Sequence, residues 1–155
     1  MLIAAAWASG AWWGGRHRHE GSVPPAGAPA VRPEALDTAE VLDAARSRFL
    51  RLQAAWDAGD VAGLSQLTTP DMLDQLLAVL GTRGSETNRT DIVTLNAELL
   101  AIEEVSAAWL ASVEFSGLIR ESAELGAVPF RELWMLSSSK GGPPFWRLAR
   151  QQALF

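Results

Sequence analysis

The sequence predicts an α+β fold in which N-terminal helices pack on an antiparallel sheet of four strands. Apolar residues recur every three or four positions before Thr82, and they recur every second position after Thr90. Helices first and then successive strands joined by short turns are typical of α+β domains. The 155 residues, 48% hydrophobic and 20% charged, have room for one such domain.

The helical half of the domain contains three predicted helices. The first ends at Gly59, and its apolar face is formed by Ala45, Phe49, Leu52 and Trp56. Asp60 is a suitable N-cap for a short second helix with Val61, Leu64 and Leu67. The run Thr69-Pro70-Asp71 combines an N-cap hydroxyl, a proline at the first helical position and an acid in the first turn. It predicts the start of a third helix, which should end near Gly81 or Gly84.

Four strands are predicted after the polar loop that ends at Thr90. They are expected over Ile92–Glu103, Trp109–Arg120, Phe130–Leu136 and around Trp146 and Leu148. The adjacent Leu99 and Leu100 interrupt the alternation in the first strand, which indicates a slip or bulge there. The turn between the last two strands is expected at Lys140–Pro144, because two glycines and two prolines lie in it.

An apolar segment at the N-terminus is typical of a membrane anchor. Residues 1–15 carry no charged side chain and are shorter than the roughly 20 residues that a spanning helix needs. The segment is therefore either the end of a longer transmembrane helix or a poorly ordered terminus. Because basic residues follow the apolar run, we expect no cleaved secretory signal and a domain on the cytoplasmic side of the inner membrane. The residues expected at the membrane are Trp7, Trp12, Trp13, Arg16 and Arg18.

A basic flank and a proline-rich linker over residues 16–33 separate the anchor from a domain at residues 34–155. The linker is expected to be a semi-rigid spacer because its four prolines favour extended conformations. Residues 34–155 carry 10 basic and 17 acidic groups, a net charge of −7, which disfavours nucleic-acid binding. The absence of cysteine excludes disulfides and thiolate metal sites.

The residues of the domain offer few candidates for catalysis, and we expect neither an enzyme nor a cofactor or metal site. Both histidines, His17 and His19, lie in the basic flank, and the chain contains no tyrosine. The remaining candidates are carboxylates: Glu98, Glu114 and Glu132 in strands, and Glu103 and Glu104 in a turn. Carboxylates that alternate with apolar residues in a strand are normally on its solvent face, so we expect these to be exposed.

Five segments, in this order, resemble successive motifs of the Tim44-like domain family. They are GDVAGLSQLTTPDM (59–72), VTLNAELLAIEE (93–104), VEFSGLIRE (113–121), PFRELWML (129–136) and FWRLARQQ (145–152). The family includes a domain of a mitochondrial inner-membrane import subunit and many bacterial membrane-tethered proteins. The resemblance implies a cone-like fold of the nuclear-transport-factor-two superfamily, in which helices close over a strongly curved sheet.

The leading functional hypothesis is a non-enzymatic, membrane-tethered scaffold that binds a protein partner or lipid, linked by resemblance to protein translocation or membrane-complex assembly. The alternative is a cone that binds a small hydrophobic ligand, such as a lipid or acyl chain, or acts as an enzyme. Self-association as a homodimer through the exposed sheet face is a third hypothesis. The residues that would line a pocket, or else form an ordinary core, are Phe49, Trp56, Phe115, Phe130 and Trp134.

Overall fold

The computed structural model describes residues 36–84 and 88–154, in which three helices are followed by a four-stranded antiparallel sheet. This confirms the predicted α+β fold class. The helices are α1 (Thr38–Ala58), α2 (Val61–Leu67) and α3 (Pro70–Arg83). The strands are β1 (Asp91–Val105), β2 (Ala108–Arg120), β3 (Val128–Ser139) and β4 (Arg147–Ala153). The predicted anchor, basic flank and linker lie outside the described residues.

Side-chain caps define the helix ends. The Asp37 carboxylate accepts a hydrogen bond from Ala39 N at 2.8 Å, so α1 begins at Thr38, seven residues before Ala45, the first residue of the predicted apolar face. Gly59 ends α1 in the left-handed region at φ 67°, as predicted, and Asp60 then accepts from Gly63 N at 3.0 Å. Thr69 caps α3 by accepting from Met72 N at 3.4 Å, which confirms the start signal read from the sequence.

The sheet has the strand order β1-β2-β3-β4, and each strand pairs with its sequence neighbour. The predicted irregularity at Leu99 is confirmed, because the β1–β2 register shifts between Leu99 and Ala101. A second shift between Ile92 and Thr94 leaves Val93 45% exposed, although Leu95 and Leu99 at the same strand parity are partly buried. Such bulges bend a strand and increase its twist, which is consistent with a curved sheet; the strong curvature itself stays a prediction.

The first reversal of the sheet lies later than the sequence predicted. Glu103 and Glu104 are paired in β1 with Leu110 and Trp109, so they are not in a turn. The chain turns at Ser106, which adopts a positive φ of 52°. β1 extends beyond the predicted end at Glu103, because backbone pairing with β2 continues as far as the pair Val105–Ala108.

The core lies between α1 and the inner face of the sheet. Phe49 of α1 contacts three aromatic rings of the sheet, at centroid distances of 4.7 Å to Phe115, 5.7 Å to Phe130 and 4.8 Å to Trp134. Each of these rings is at most 3% exposed. Burial of side chains of this size contributes about 1.5–3 kcal/mol each. The packing of Phe49 against these three rings therefore stabilises the contact between α1 and the sheet.

Hydrogen bonds join the helices to the sheet at two places beside this core, the start of β1 and the start of α3. Asp57 at the end of α1 accepts hydrogen bonds from Gln53 Nε2 at 2.8 Å, Asn88 Nδ2 at 2.7 Å and Thr90 N at 2.9 Å, which fixes the entry into β1. On the other side, Thr69 N donates to the carbonyl of Leu148 at 2.9 Å. The start of α3 is therefore joined directly to β4.

Candidate functional site

The five aromatic residues predicted to line a pocket or form a core are all buried inside the domain. Trp56, Phe49 and Phe115 have no exposed surface, and Phe130 and Trp134 retain 3% and 1%. Phe115 and Trp134 also contact each other edge to face at 5.3 Å. Four of the five rings thus touch at distances normal for a packed aromatic cluster.

Glu132 lies inside this aromatic cluster, and the prediction that it faces solvent is wrong. Its side chain is 1% exposed, because Glu132 has the same strand parity as Phe130, Trp134 and Leu136 on the inner face of β3. One carboxyl oxygen accepts a hydrogen bond from Trp134 Nε1 at 2.7 Å, and the other has no partner among the described residues. Burial raises the pKa of the Glu132 carboxyl to about 7, with the Trp134 hydrogen bond partly opposing the rise.

A glutamine with a buried amide group lies on the same face of the sheet as this carboxyl. Gln151 of β4 is the register partner of Trp134, so its side chain shares the inner face with Trp134 and Glu132. The amide nitrogen and the amide oxygen of Gln151 are both buried and lack hydrogen-bond partners among the described residues. Glu132, Trp134 and Gln151 are called the inner polar site below. A carboxyl with a pKa near neutrality can give or take a proton, and this is the one chemically versatile arrangement within the described core.

The other candidate carboxylates are on the outside of the domain. Glu98 is exposed. Glu114 forms a bidentate ion pair with Arg131, in which Nε and Nη2 of Arg131 donate to the two carboxylate oxygens at 2.8 and 3.0 Å. Glu104 is paired with Lys140. Exposed pairs of this kind contribute little to stability and need no functional explanation. Within residues 36–84 and 88–154, no three His, Cys, Asp or Glu residues are grouped so that they could hold a metal ion.

A second unusual site lies on the surface, where the β3–β4 loop meets α1. Phe145 is 41% exposed, and two guanidinium groups lie against its ring. The Cζ atom of Arg48 is 4.5 Å from the ring centroid and that of Arg147 is 4.8 Å from it. Both distances are within the range of cation–π attraction. The ring is thereby held at the surface, available for contact.

Hydrogen bonds between side chains and the backbone hold this loop in place. Arg48 Nε donates to the carbonyl of Trp146 at 2.7 Å, and Phe145 N donates to the buried Ser138 hydroxyl at 2.9 Å. Trp146 is itself buried in the core, next to the exposed Phe145. The alternation of a buried and an exposed aromatic residue therefore fixes which ring points outward.

Three arginines meet at this site without a carboxylate. Among the described residues, no ion pair involves Arg48, Arg51 or Arg147, whereas other basic residues such as Arg46, Arg89 and Arg131 have acidic partners. Partial burial and then the charges of Arg51 and Arg147 lower the pKa of Arg48, although it stays protonated at neutral pH. Arg48 and Arg147 lie against the same ring, and Arg51 follows Arg48 by three positions on α1, so the three charges lie on neighbouring parts of the surface.

The loop beside the arginines borders an open depression of about 230 Å³. Its lining is formed by Ser138, Ser139, Lys140, Gly141, Gly142, Pro143, Phe145 and Arg147. We call Arg48, Arg51, Lys140, Phe145 and Arg147 the Phe145 site. It combines three arginines, a lysine that is paired with Glu104, an exposed ring and a concave surface. Arginine and aromatic residues are enriched at binding hot spots.

Sequence reasoning found the elements of the Phe145 site but not the site. It recognised the turn at Lys140–Pro144 and the strand around Trp146 and Leu148. Arg48 and Trp146 are 98 positions apart, so no local pattern predicts their contact. The available signal was the run Phe145-Trp146-Arg147, in which alternation must expose one aromatic ring and bury the next.

The predicted anchor residues lie outside the described residues. Within the part of the chain that the structure describes, no helix combines the length and the hydropathy that crossing a bilayer requires. The longest helix there is α1, with 21 residues, and its mean hydropathy is lowered by charged residues along one side.

Comparison with known proteins assigns the family. The model of the Tim44-like domain matches residues 30–153. A solved structure, that of a conserved protein from Planctomyces limnophilus DSM 3776, is similar over 75% of this chain and 95% of its own, with 18% identity and a TM-score of 0.45. No curated protein matches the chain. Because the family model covers the helices and all four strands, the chain belongs to the Tim44-like domain family.

Proposed function

We propose that this protein is a membrane-tethered interaction domain without enzymatic activity, acting as a scaffold at the inner membrane. Tim44-like proteins are associated with membranes and are generally not catalytic, so membership of the family favours this role. The apolar residues 1–15 and the proline-rich linker supply the proposed tether, which would hold the domain on the cytoplasmic side. A role in protein translocation or membrane-complex assembly is the finer part of this proposal.

The observation that carries the proposal is the Phe145 site. An exposed aromatic ring between two guanidinium groups adds little to stability, because an exposed cation–π contact contributes only about 0.5–1 kcal/mol. Such a group is well suited to contact with another molecule, since the ring is already held in one position by Arg48 and Arg147. The partner is expected to be a protein or lipid at the membrane.

Membrane fractionation with chemical crosslinking tests this function. The full chain and a shortened chain that starts at Glu34 are expressed in the same bacterial host. We expect the full chain to sediment with membranes, the shortened chain to stay soluble, and the full chain to form crosslinks that the shortened chain loses. Equal solubility of both chains would contradict the tether, and the absence of any crosslinked protein or lipid would contradict the scaffold role.

The inner polar site favours a second candidate function, a cone that binds a small ligand or carries out proton-transfer chemistry. The unpartnered Glu132 oxygen and the unpartnered Gln151 amide are the groups that would contact a ligand. Native mass spectrometry of the purified protein tests this candidate. A bound small molecule that is lost in the variant Glu132→Gln would support it, whereas an empty protein in both cases would contradict it.

A further inference from the structure

We infer that the Phe145 site binds a short acidic segment of a protein partner, with carboxylates against the arginines and an apolar side chain against Phe145. This inference rests on the proposed interaction function and names the chemistry of the partner. It starts from a charge contrast. The domain is strongly acidic overall, yet the arginines of this site have no acidic partner among the described residues.

The geometry of the site favours carboxylates as the ligand. Guanidinium groups present paired N–H donors that match a carboxylate, and Arg51 and Arg147 are both exposed. Arg48 and Arg147 both contact the Phe145 ring, and Arg51 lies three positions after Arg48 on α1, which brings the three charges into one neighbourhood. A carboxylate that reaches this point would relieve their mutual repulsion and gain hydrogen bonds as well.

The exposed ring indicates that the ligand is amphipathic. Phe145 is 41% exposed and is the aromatic member of a pocket that also contains Lys140 and Arg147. Free phosphate or a single carboxylate would leave this ring in water. An apolar side chain next to the acidic one in a peptide would cover the ring, and the pocket volume of about 230 Å³ accommodates one such side chain.

The distribution of charge argues for a peptide rather than a membrane surface as the occupant. Residues 34–155 carry a net charge of −7, so an extended anionic surface would attract the Phe145 site and repel the rest of the domain. A short segment with a few acidic residues contacts only the cationic area. The site is small and concave, which also fits a narrow ligand better than a broad one.

Fluorescence anisotropy with the full chain in detergent tests the inference. The probe is a labelled short peptide of alternating Glu and Leu, and the matched peptide has Gln in place of Glu. We expect binding of the acidic peptide only, and weaker binding at high salt because the contacts are exposed. The double variant Arg51→Glu/Arg147→Glu should weaken binding roughly tenfold or more, since two contacts change from attraction to repulsion.

Arg150→Glu is the matched control, because Arg150 is an exposed arginine on the same strand as Arg147. It should change the affinity by less than about twofold, the effect of one distant screened charge. Arg51→Gln is a milder second variant, and it should weaken binding less than the double charge reversal without altering the circular dichroism spectrum. Equal weakening by Arg150→Glu and by the double variant would overturn the inference, as would a failure of the acidic peptide to bind.

Vesicles of phosphatidylcholine, with and without phosphatidylglycerol, form the last arm of the experiment. If only the anionic vesicles bind the Phe145 site and the acidic peptide does not, the occupant is a lipid surface and the inference is overturned. The proposed function is tested separately by fractionation and crosslinking. Crosslinks that persist in the double charge-reversal variant would leave the scaffold role standing while removing the acidic-peptide site.

Discussion

The inner polar site and the Phe145 site both contain polar groups that lack a hydrogen-bond or ion-pair partner among the described residues, but their surroundings give them opposite consequences. Glu132 is enclosed by aromatic rings, so burial suppresses its charge and raises its pKa to about 7. Arg147 is exposed and remains charged in water at little cost. An unpartnered group in the core is therefore a cost to stability, whereas an unpartnered group on the surface is available for binding.

Alanine substitutions of the two phenylalanines test this difference most strongly. Phe49→Ala removes a fully buried ring that contacts three others and should lower the free energy of unfolding by about 3–5 kcal/mol. Phe145→Ala removes a half-exposed ring and should cost less than about 1 kcal/mol. Urea unfolding measures both values. Similar losses for the two variants would show that Phe145 is part of the core and would remove the contrast.

The pH dependence of stability tests the buried carboxyl. The unfolded chain loses the Glu132 proton near its ordinary pKa of 4.5, while the folded chain retains it up to about pH 7. The free energy of unfolding should therefore fall as the pH rises between these values and level off above them, by up to about 3 kcal/mol. Urea titrations over this range measure the fall.

Glu132→Gln is the control for that titration. Glutamine cannot ionise, so the variant should lack this part of the pH dependence and should be more stable than the native chain at pH 8. Glu114→Gln alters a partly exposed carboxylate that is paired with Arg131, and it should leave the fall between pH 4.5 and 7 in place. If the free energy of unfolding of the native chain were constant between pH 4.5 and 7, Glu132 would not be buried as a protonated carboxyl.

Gln151→Leu sharpens the comparison within the core. The substitution keeps a similar volume and removes a buried amide whose two polar atoms have no partner among the described residues. We expect an increase of about 1 kcal/mol in the free energy of unfolding, because the desolvation cost of the amide disappears. Thermal unfolding measures the change. A clear loss of stability would mean that the amide makes a valuable interaction in solution.

Arg51→Ala has the smallest expected effect. It removes one of the charges that repel Arg48, so the variant should be unchanged or more stable by a few tenths of a kcal/mol. Arg46→Ala on the same helix is the comparison, because Arg46 is paired with Asp43 at 3.3 Å and loses a weak attraction instead. Changes in the free energy of unfolding that have opposite signs in the two variants at low salt, and that become similar at high salt, would support the repulsion among the arginines. A marked loss of stability in Arg51→Ala would refute it.

The parts of the fold that local chemistry controls could be predicted from the sequence. The caps at Asp60 and Thr69, the end of α1 at Gly59 and the irregularity at Leu99 each depend on a few adjacent residues. The family resemblance carried by the ordered motifs is also confirmed. What these features share is that their physical cause lies within one or two turns of the chain.

The candidate sites depended on information that a local pattern lacks. Glu132 has the strand parity of Phe130 and Trp134, and that parity indicated the inner face, but a general expectation for acidic side chains outweighed it. Phe145 gains its surroundings from α1 and β4, whose contact arises only in the folded chain. Parity of the alternation is thus a better guide to burial in this sheet than the polarity of a single residue.

Site-specific photo-crosslinking tests the central claim, that the Phe145 site is where this domain meets its partner. A benzophenone amino acid replaces Phe145 in the full chain in bacterial cells, and a second chain carries it instead at Leu118, which is 37% exposed on β2. We expect a light-dependent crosslink to another protein from position 145 and none from position 118. Crosslinks from position 118 alone, or from neither position, would contradict it.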